Sequence, residues 1–241
     1  MSDRHQELAP DLGGGKWFPF ISAMFVTTLI VSNIIAVKQV SLAGLYLPAA
    51  VILFPIAYIF GDILTEVYGY RRARQVIWTG FFGNLIAVIA IWIAGLLPAA
   101  PFWSAGIFET PESAQAAYDA ILGFAPRLLL ASFTAYLIGE FLNSFVLAKL
   151  KVRTSGRHLW LRTISSTLIG QGADSLVFIT IAFYGIFPPA ALGQAILSQW
   201  AFKVAFEVLA TPVTYLAVNA LKRAEGMDFY DRETNFNPFV G

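Results

Sequence analysis

Charged side chains stand inside the most apolar stretches of this 241-residue chain. Asp62 and Glu66 occur in FGDILTEVYGYRRARQ, Glu140 in YLIGEFLNS, Asp174 in GQGADSL, and Lys203 with Glu207 in KVAFEVLATP. Each has a polar companion one helical turn away. Asp62/Glu66 and Lys203/Glu207 are spaced i,i+4, and Glu140/Asn143 and Gln171/Asp174 are spaced i,i+3, so each pair shares one helix face. Ser132 and Tyr136 lengthen the Glu140 stripe, and Thr167 lengthens that of Asp174. Such residues suit recognition of a small polar ligand. A carboxylate accepts two parallel N–H bonds from an amidine-like edge, and guanine-type bases carry that edge. Several acids against one central lysine favour a donor-rich or cationic ligand over an anion.

Simpler roles compete for several of these residues. Lys203 and Glu207 could neutralise each other along one helix, and Glu66 could pair with Arg71 or Arg72 at an interface. Asn33, Asn143 and Gln171 could serve as interhelical hydrogen-bond glue. Glu140 and Asp174 have no cation on their own helices, and so invite a functional reading most. Lys38 and Arg127 read as side chains that snorkel to the headgroups. Catalysis lacks its usual residues: the two histidines, His5 and His158, lie in a tail and a loop, and the absence of cysteine excludes thiolate sites. The chain reads as a non-enzyme with no cofactor.

The elements that must position these residues follow from composition. Hydrophobic residues make up 57% and charged residues 13%, against about 45–50% and about 25% in soluble domains. Six stretches are long enough to span a bilayer: Trp17 to Val37, Ala49 to Tyr68, Val76 to Leu97, Ile121 to Leu147, Thr163 to Phe187, and Ala190 to Leu221. The expectation is an all-α membrane protein, a six-transmembrane-helix bundle. Left in lipid, its six buried ionisable groups would cost on the order of 15–20 kcal/mol, so they must converge on a protein interior. Thirteen of the sixteen basic residues fall on one side of such a bundle, which predicts cytoplasmic N and C termini. A net charge of +1 gives no reason to expect nucleic acid as a partner.

Residues 1–15 and 226–241 read as cytoplasmic tails of disordered type around a transporter domain at 16–225. AVKQVSLAGLYLP predicts a short extended or hairpin-like segment, and Glu112 to Leu122 either a short interfacial helix capped from Thr110-Pro111 or a plain surface loop. Tyr58 and Tyr136 begin two copies of Y-x-x-G-[DE]-x-L, which would bring acids to similar depth on separate helices. Gly80, Gly83 and Ala87 offer a small-residue face, open either to a second copy in a homodimer or to lipid.

These blocks together resemble the bacterial queuosine-precursor transporters, formerly grouped with vitamin-uptake transporters. The resemblance runs from SNIIAVK (32–38) through FPIAYIFGDILTEVYGYRRARQVIW (54–78), ASFTAYLIGEFLNSFVLAKLK (131–151) and RTISSTLIGQGADSLVF (162–178) to KVAFEVLATP (203–212). It implies a multi-pass importer in the bacterial inner membrane for 7-deazaguanine free bases. Carried over by position, it implies a substrate site drawn from Asn33, Asp62, Glu66, Glu140, Asn143, Gln171, Asp174, Lys203 and Glu207. The alternative is a substrate-binding subunit of an ATP-driven vitamin uptake system, which is also a small six-helix bundle.

Overall fold

The computed structural model describes residues 15–42, 45–104, 106–123 and 126–239. Helix α1 (Phe18–Ile35) leads into the hairpin β1 (Gln39–Leu42) and β2 (Leu45–Pro48). Then follow α2 (Phe54–Tyr68), α3 (Tyr70–Leu96), α4 (Pro111–Leu122), α5 (Pro126–Arg153), α6 (Leu159–Phe183) and α7 (Pro189–Glu225). The N-terminal tail expected over residues 1–15 lies, apart from Gly15, outside the described residues.

All six expected apolar helices form, and five are long and apolar enough to cross a membrane. The exception is α2. Its 15 residues reach about 22 Å at 1.5 Å per residue, short of a hydrocarbon core of about 30 Å. The remainder of that limb is a 3-10 turn over Ala49–Ile52, preceded by the antiparallel hairpin with register Gln39↔Pro48 to Leu42↔Leu45. Proline explains the break, since Pro48 and Pro55 cannot donate to a continuous helix ladder. The amphipathic helix expected near Glu112 also forms: Thr110 Oγ1 accepts from the Ser113 amide at 3.2 Å, and Ser113 Oγ closes the capping box.

Polarity is distributed inside out. Asp62, Glu66, Asn143, Gln171, Lys203 and Glu207 are buried, whereas Leu209 and Leu216 are each 74% exposed, with Ile86, Trp92 and Leu96 also open. Water would impose the opposite arrangement, so the surrounding solvent is lipid. The chain is an all-α multi-pass membrane protein.

Small residues set how closely the helices approach. The α5–α6 contact is the most extensive in the bundle, and Gly139 and Gly170 meet there. A Cβ on Gly170 would stand 2.8 Å from the Gly139 carbonyl oxygen and 2.7 Å from Asn143 Cβ. Only glycine admits this spacing, and it sets Asn143 beside Gly170 and Asp174 beside Gly139, one turn apart along the α5–α6 seam. Within the chain, Gly80 faces Tyr136, Leu29 and Phe25, and Gly83 faces Val26 and Ile30. Pro212 inside α7 removes the amide that would bond the Val208 carbonyl, a local weakness one turn beyond Glu207.

The C-terminal segment is not a loose tail. Residues 226–239 fold back over α2, α3 and α5. Both Asp231 carboxylate oxygens accept from the Tyr70 amide at 3.0–3.1 Å, which caps the start of α3. Arg74 donates to the carbonyls of Asn235 and Asn237, and Trp78 to that of Pro238. Phe229 packs on Gly69, whose φ of +83° separates α2 from α3 and where a Cβ would meet the Phe229 ring at 2.2 Å. The expectation of disorder weighed composition alone. It missed that the basic, amide-rich end of the bundle presents unsatisfied donors to exposed strap carbonyls.

Candidate functional site

Two polar clusters occupy the bundle interior, one helical turn apart on α2, or about 6 Å along the axis. The central cluster draws on α2, α5, α6 and α7. Lys203 of α7 pairs with Asp174 of α6, and this pairing, not an intrahelical one with Glu207, is how the lysine is satisfied. Asn143 Nδ2 donates to Asp62 Oδ1 at 3.3 Å across 81 residues of sequence. The Asp62 and Glu207 carboxyls interact with each other. Glu140 faces the Asp174–Lys203 pair, with its Oε2 directed toward Gly61. Tyr58 lies among Asp174, Glu140 and Glu207. The centre therefore holds four acids and one lysine.

The remaining expected residues fall at different places. Gln171 is buried on the same α6 face, one turn before Asp174. Asn33 is half-buried in the last turn of α1, and no hydrogen bond among the described residues joins it to the central group. Of the aromatics near the acids, Tyr136 donates to the Ile77 carbonyl at 3.0 Å and Trp200 to that of Leu168 at 2.9 Å. Arg127 does more than reach toward headgroups: it donates to the carbonyls of Ile181 and Tyr184 and so closes the C-terminal end of α6.

Glu66 departs from the expectation that it shares the central site. It forms a second cluster at the basic end of the bundle. Arg162 approaches it side-on, with Nη2 to Oε1 at 2.7 Å and Nε to Oε2 at 3.3 Å. Lys222 Nζ stands 2.7 Å and Lys151 Nζ 3.7 Å from Oε1. Its cations come from α5, α6 and α7, not from neighbouring Arg71 or Arg72; Arg72 instead lies over the Phe18 ring at 5.1 Å. A carboxylate in the last turn of α2 faces the negative end of the helix dipole, so three cations offset an otherwise unfavourable position. In the sequence Lys151, Arg162 and Lys222 count only among the thirteen basic residues of one side, and this role is missed. The available signal was the acid itself, which needs cations when it is buried at a helix C-terminus.

Asp228 of the C-terminal strap completes this cluster, 2.6 Å from Lys151 and 2.9 Å from Lys222. Burial alone would raise its pKa, but Lys151 and Lys222 outweigh burial and hold the carboxyl below the ordinary carboxylate range. A depressed folded-state pKa contributes stability that is complete above the unfolded value of about 4 and disappears as pH falls through the folded one. Amide-exchange protection of residues 228–239 is therefore expected to fall below about pH 4, and Asp228→Asn to remove that step while lowering protection at neutral pH. Protection that is flat with pH in both proteins would show that the ion pairs do not hold the strap.

The N-terminal end of α1 docks beside the C-terminal end of α7, with the Lys16 and Trp17 amides donating to Glu225 at 2.8 and 2.6 Å. The start of α1 and the end of α7 thus both lie at the basic end. Surface grooves lie elsewhere: one of about 500 Å3 between α1 and α3, another of about 570 Å3 beside α4. Neither includes a central acid. Among the described residues, no group of three or more His, Asp or Glu has metal-binding spacing.

A lipid-embedded helix bundle that gathers acids at its centre suits a small-solute membrane transporter. Residues 48–217 match the family model described as "Putative vitamin uptake transporter", and the chain belongs to that family. It is a transporter and not an enzyme. A Bacillus subtilis (strain 168) protein named "Probable queuosine precursor transporter" is 29% identical over 216 residues, 88% of this chain and 89% of that protein. The "Queuosine precursor transporter" of Escherichia coli (strain K12) is 26% identical over 200 residues, 83% of this chain and 82% of that protein. A Haemophilus influenzae relative named "Probable queuosine precursor transporter" is 30% identical over 131 residues, 54% of this chain and 49% of the relative. No solved structure gives a significant match.

Proposed function

We propose that this chain imports 7-deazaguanine free bases, the precursors of queuosine, across the bacterial inner membrane, with both termini in the cytoplasm. The observation that carries the reading is the charge of the bundle centre: Asp62, Glu140, Asp174 and Glu207 surround the single cation Lys203. With Lys203 engaged by Asp174, Glu140 is left to accept the N1–H and exocyclic amine of the base as a fork. Gln171 reads the carbonyl of the base, and the Tyr58 ring offers a stacking surface. An aminomethylated base is cationic and suits the same excess of acid. The names of the relatives and the thirteen-to-three bias of basic residues support substrate class and orientation respectively.

The Glu66 cluster and the strap close the basic end, with Glu66, Lys151 and Arg162 almost wholly buried. Import then requires this end to open, and α7 has a bend point at Pro212 for such a motion.

Purified protein in liposomes without ATP is expected to take up tritiated 7-deazaguanine, with competition by other 7-deazaguanines and none by thiamine or riboflavin. Uptake that appears only when an ATP-hydrolysing module is added would favour the substrate-binding subunit of an ATP-driven system. Competition by unrelated vitamins at equal potency would overturn the base-edge reading.

A further inference from the structure

Beneath the Asp174–Lys203 pair lies a group of acceptors without donors. Asp62 Oδ2, both Glu207 carboxyl oxygens and Asn143 Oδ1 are buried and have no hydrogen-bond partner among the described residues. Asp62 and Glu207 are each 1% exposed, and Asn143 is 7% exposed. The one bond that ties the group together, from Asn143 Nδ2 to Asp62 Oδ1, uses the amide as donor and leaves its carbonyl oxygen unanswered. Buried acceptors left unpaired each cost roughly 1–3 kcal/mol. The remedy is a species that brings donors or positive charge.

The surroundings narrow the choice. On α2, Glu66 is held one turn away by Arg162, Lys222 and Lys151. On α5, Glu140 and Asn143 face Asp62. On α6, Asp174 engages Lys203 of α7, which takes that lysine's charge away from Glu207. The Tyr58 hydroxyl lies near Glu207. Helix α1 carries no charged side chain, and those of α3, Arg71, Arg72 and Arg74, lie in its first turns near the basic end. The Thr211 hydroxyl is occupied by the Glu207 backbone carbonyl at 2.8 Å. No cation therefore answers the Asp62–Glu207 pair among the described residues.

We propose that Asp62 and Glu207 form a proton-binding site that couples import of the base to the proton gradient, with Asn143 linking it to the substrate group. The inference rests on the transport reading above and adds its driving force. One proton shared between the two carboxyls forms an O–H···O bond between α2 and α7, and its loss sets two buried carboxylates against each other. That repulsion falls where α2 meets α7, one turn from the Glu66 cluster that closes the basic end. Deprotonation therefore pushes apart the helices whose inner ends carry Glu66 and Lys222. A shared proton needs only one oxygen from each carboxyl. A sodium ion, by contrast, needs a fuller oxygen cage than these four acceptors.

The test uses the whole protein in liposomes with membrane potential clamped at zero by valinomycin and potassium. The probe is tritiated 7-deazaguanine, which is neutral, so its own charge drives nothing. With one proton per base, an acid exterior is expected to raise the steady-state internal-to-external ratio by up to about tenfold per unit of pH difference. Internal pyranine should acidify as base enters. Asp62→Asn and Glu207→Gln are each expected to flatten the dependence of uptake on the pH gradient. A ratio of one under a two-unit pH gradient, in protein that equilibrates the base, overturns coupling and leaves the transport reading intact. So does accumulation driven by a sodium gradient alone. Absence of any base entry under every gradient overturns the transport reading itself. The wild-type ratio decides the question even where a variant fails to fold.

Discussion

Replacing Glu66 with glutamine is expected to destabilise the protein by about 3–5 kcal/mol, the usual result of removing one partner from a buried ionic group. The substitution leaves Arg162 and Lys151 buried, each 1% exposed, together with Lys222, and only Asp228 as a counter-charge. Arg162 retains bonds to the Arg157 carbonyl and the Thr154 hydroxyl, but its charge is no longer answered. Thermal unfolding in detergent, with the monodisperse fraction as a second readout, measures the loss. A compensating change provides the control. Glu66→Gln combined with Lys222→Met should lose less than the sum of the two single changes, because both partners of one pair leave together. A melting temperature equal to wild type in Glu66→Gln would mean that the cluster is solvated in the native protein and does not seal the basic end.

The second large effect falls on ligand binding. Glu140→Gln is expected to weaken binding of 7-deazaguanine by about 10- to 150-fold, since a hydrogen bond to a charged group contributes about 1.5–3 kcal/mol. Stability should change little, because Glu140 forms no ion pair within 4 Å among the described residues and is only half-buried. That contrast makes it the most informative acid to change. Asp174→Asn would also break the ion pair with Lys203 and mix binding with the cost of that loss. Titration calorimetry of the detergent-solubilised protein gives the affinity directly. Equal affinity in wild type and Glu140→Gln would remove the carboxylate fork from the recognition scheme and shift attention to Asp174.

Local chemistry made a good part of the architecture legible. The six apolar stretches, the hairpin before Pro48, and the helix capped by Thr110 each depend on residues within a few positions of one another. The polar stripes were legible for the same reason. Asp62, Glu140, Asp174 and Lys203 repeat at helical spacing with polar companions, and lipid forces such stripes inward whatever the fold.

Pairing was not legible. Asn143 reaches Asp62 across 81 residues, Arg162 reaches Glu66 across 96, and Lys222 reaches Glu66 across 156. The sequence offered nearer partners for both the acid and the lysine, Arg71 and Arg72 for Glu66 and Glu207 for Lys203. Neither is used. Helix order and rotation, fixed by the Gly139–Gly170 approach and by α2 lying between α5 and α7, decide which stripe meets which. The same holds for the C-terminal strap, whose polar composition reads as disorder until Tyr70, Arg74 and Trp78 present donors to its carbonyls and carboxylate. The sequence by itself determined which side chains must avoid lipid, because transfer free energy belongs to each residue. Only the tertiary structure decided how they divide into a central cluster and one at the basic end, because Coulomb energy and hydrogen bonding depend on separations of a few ångströms between distant parts of the chain.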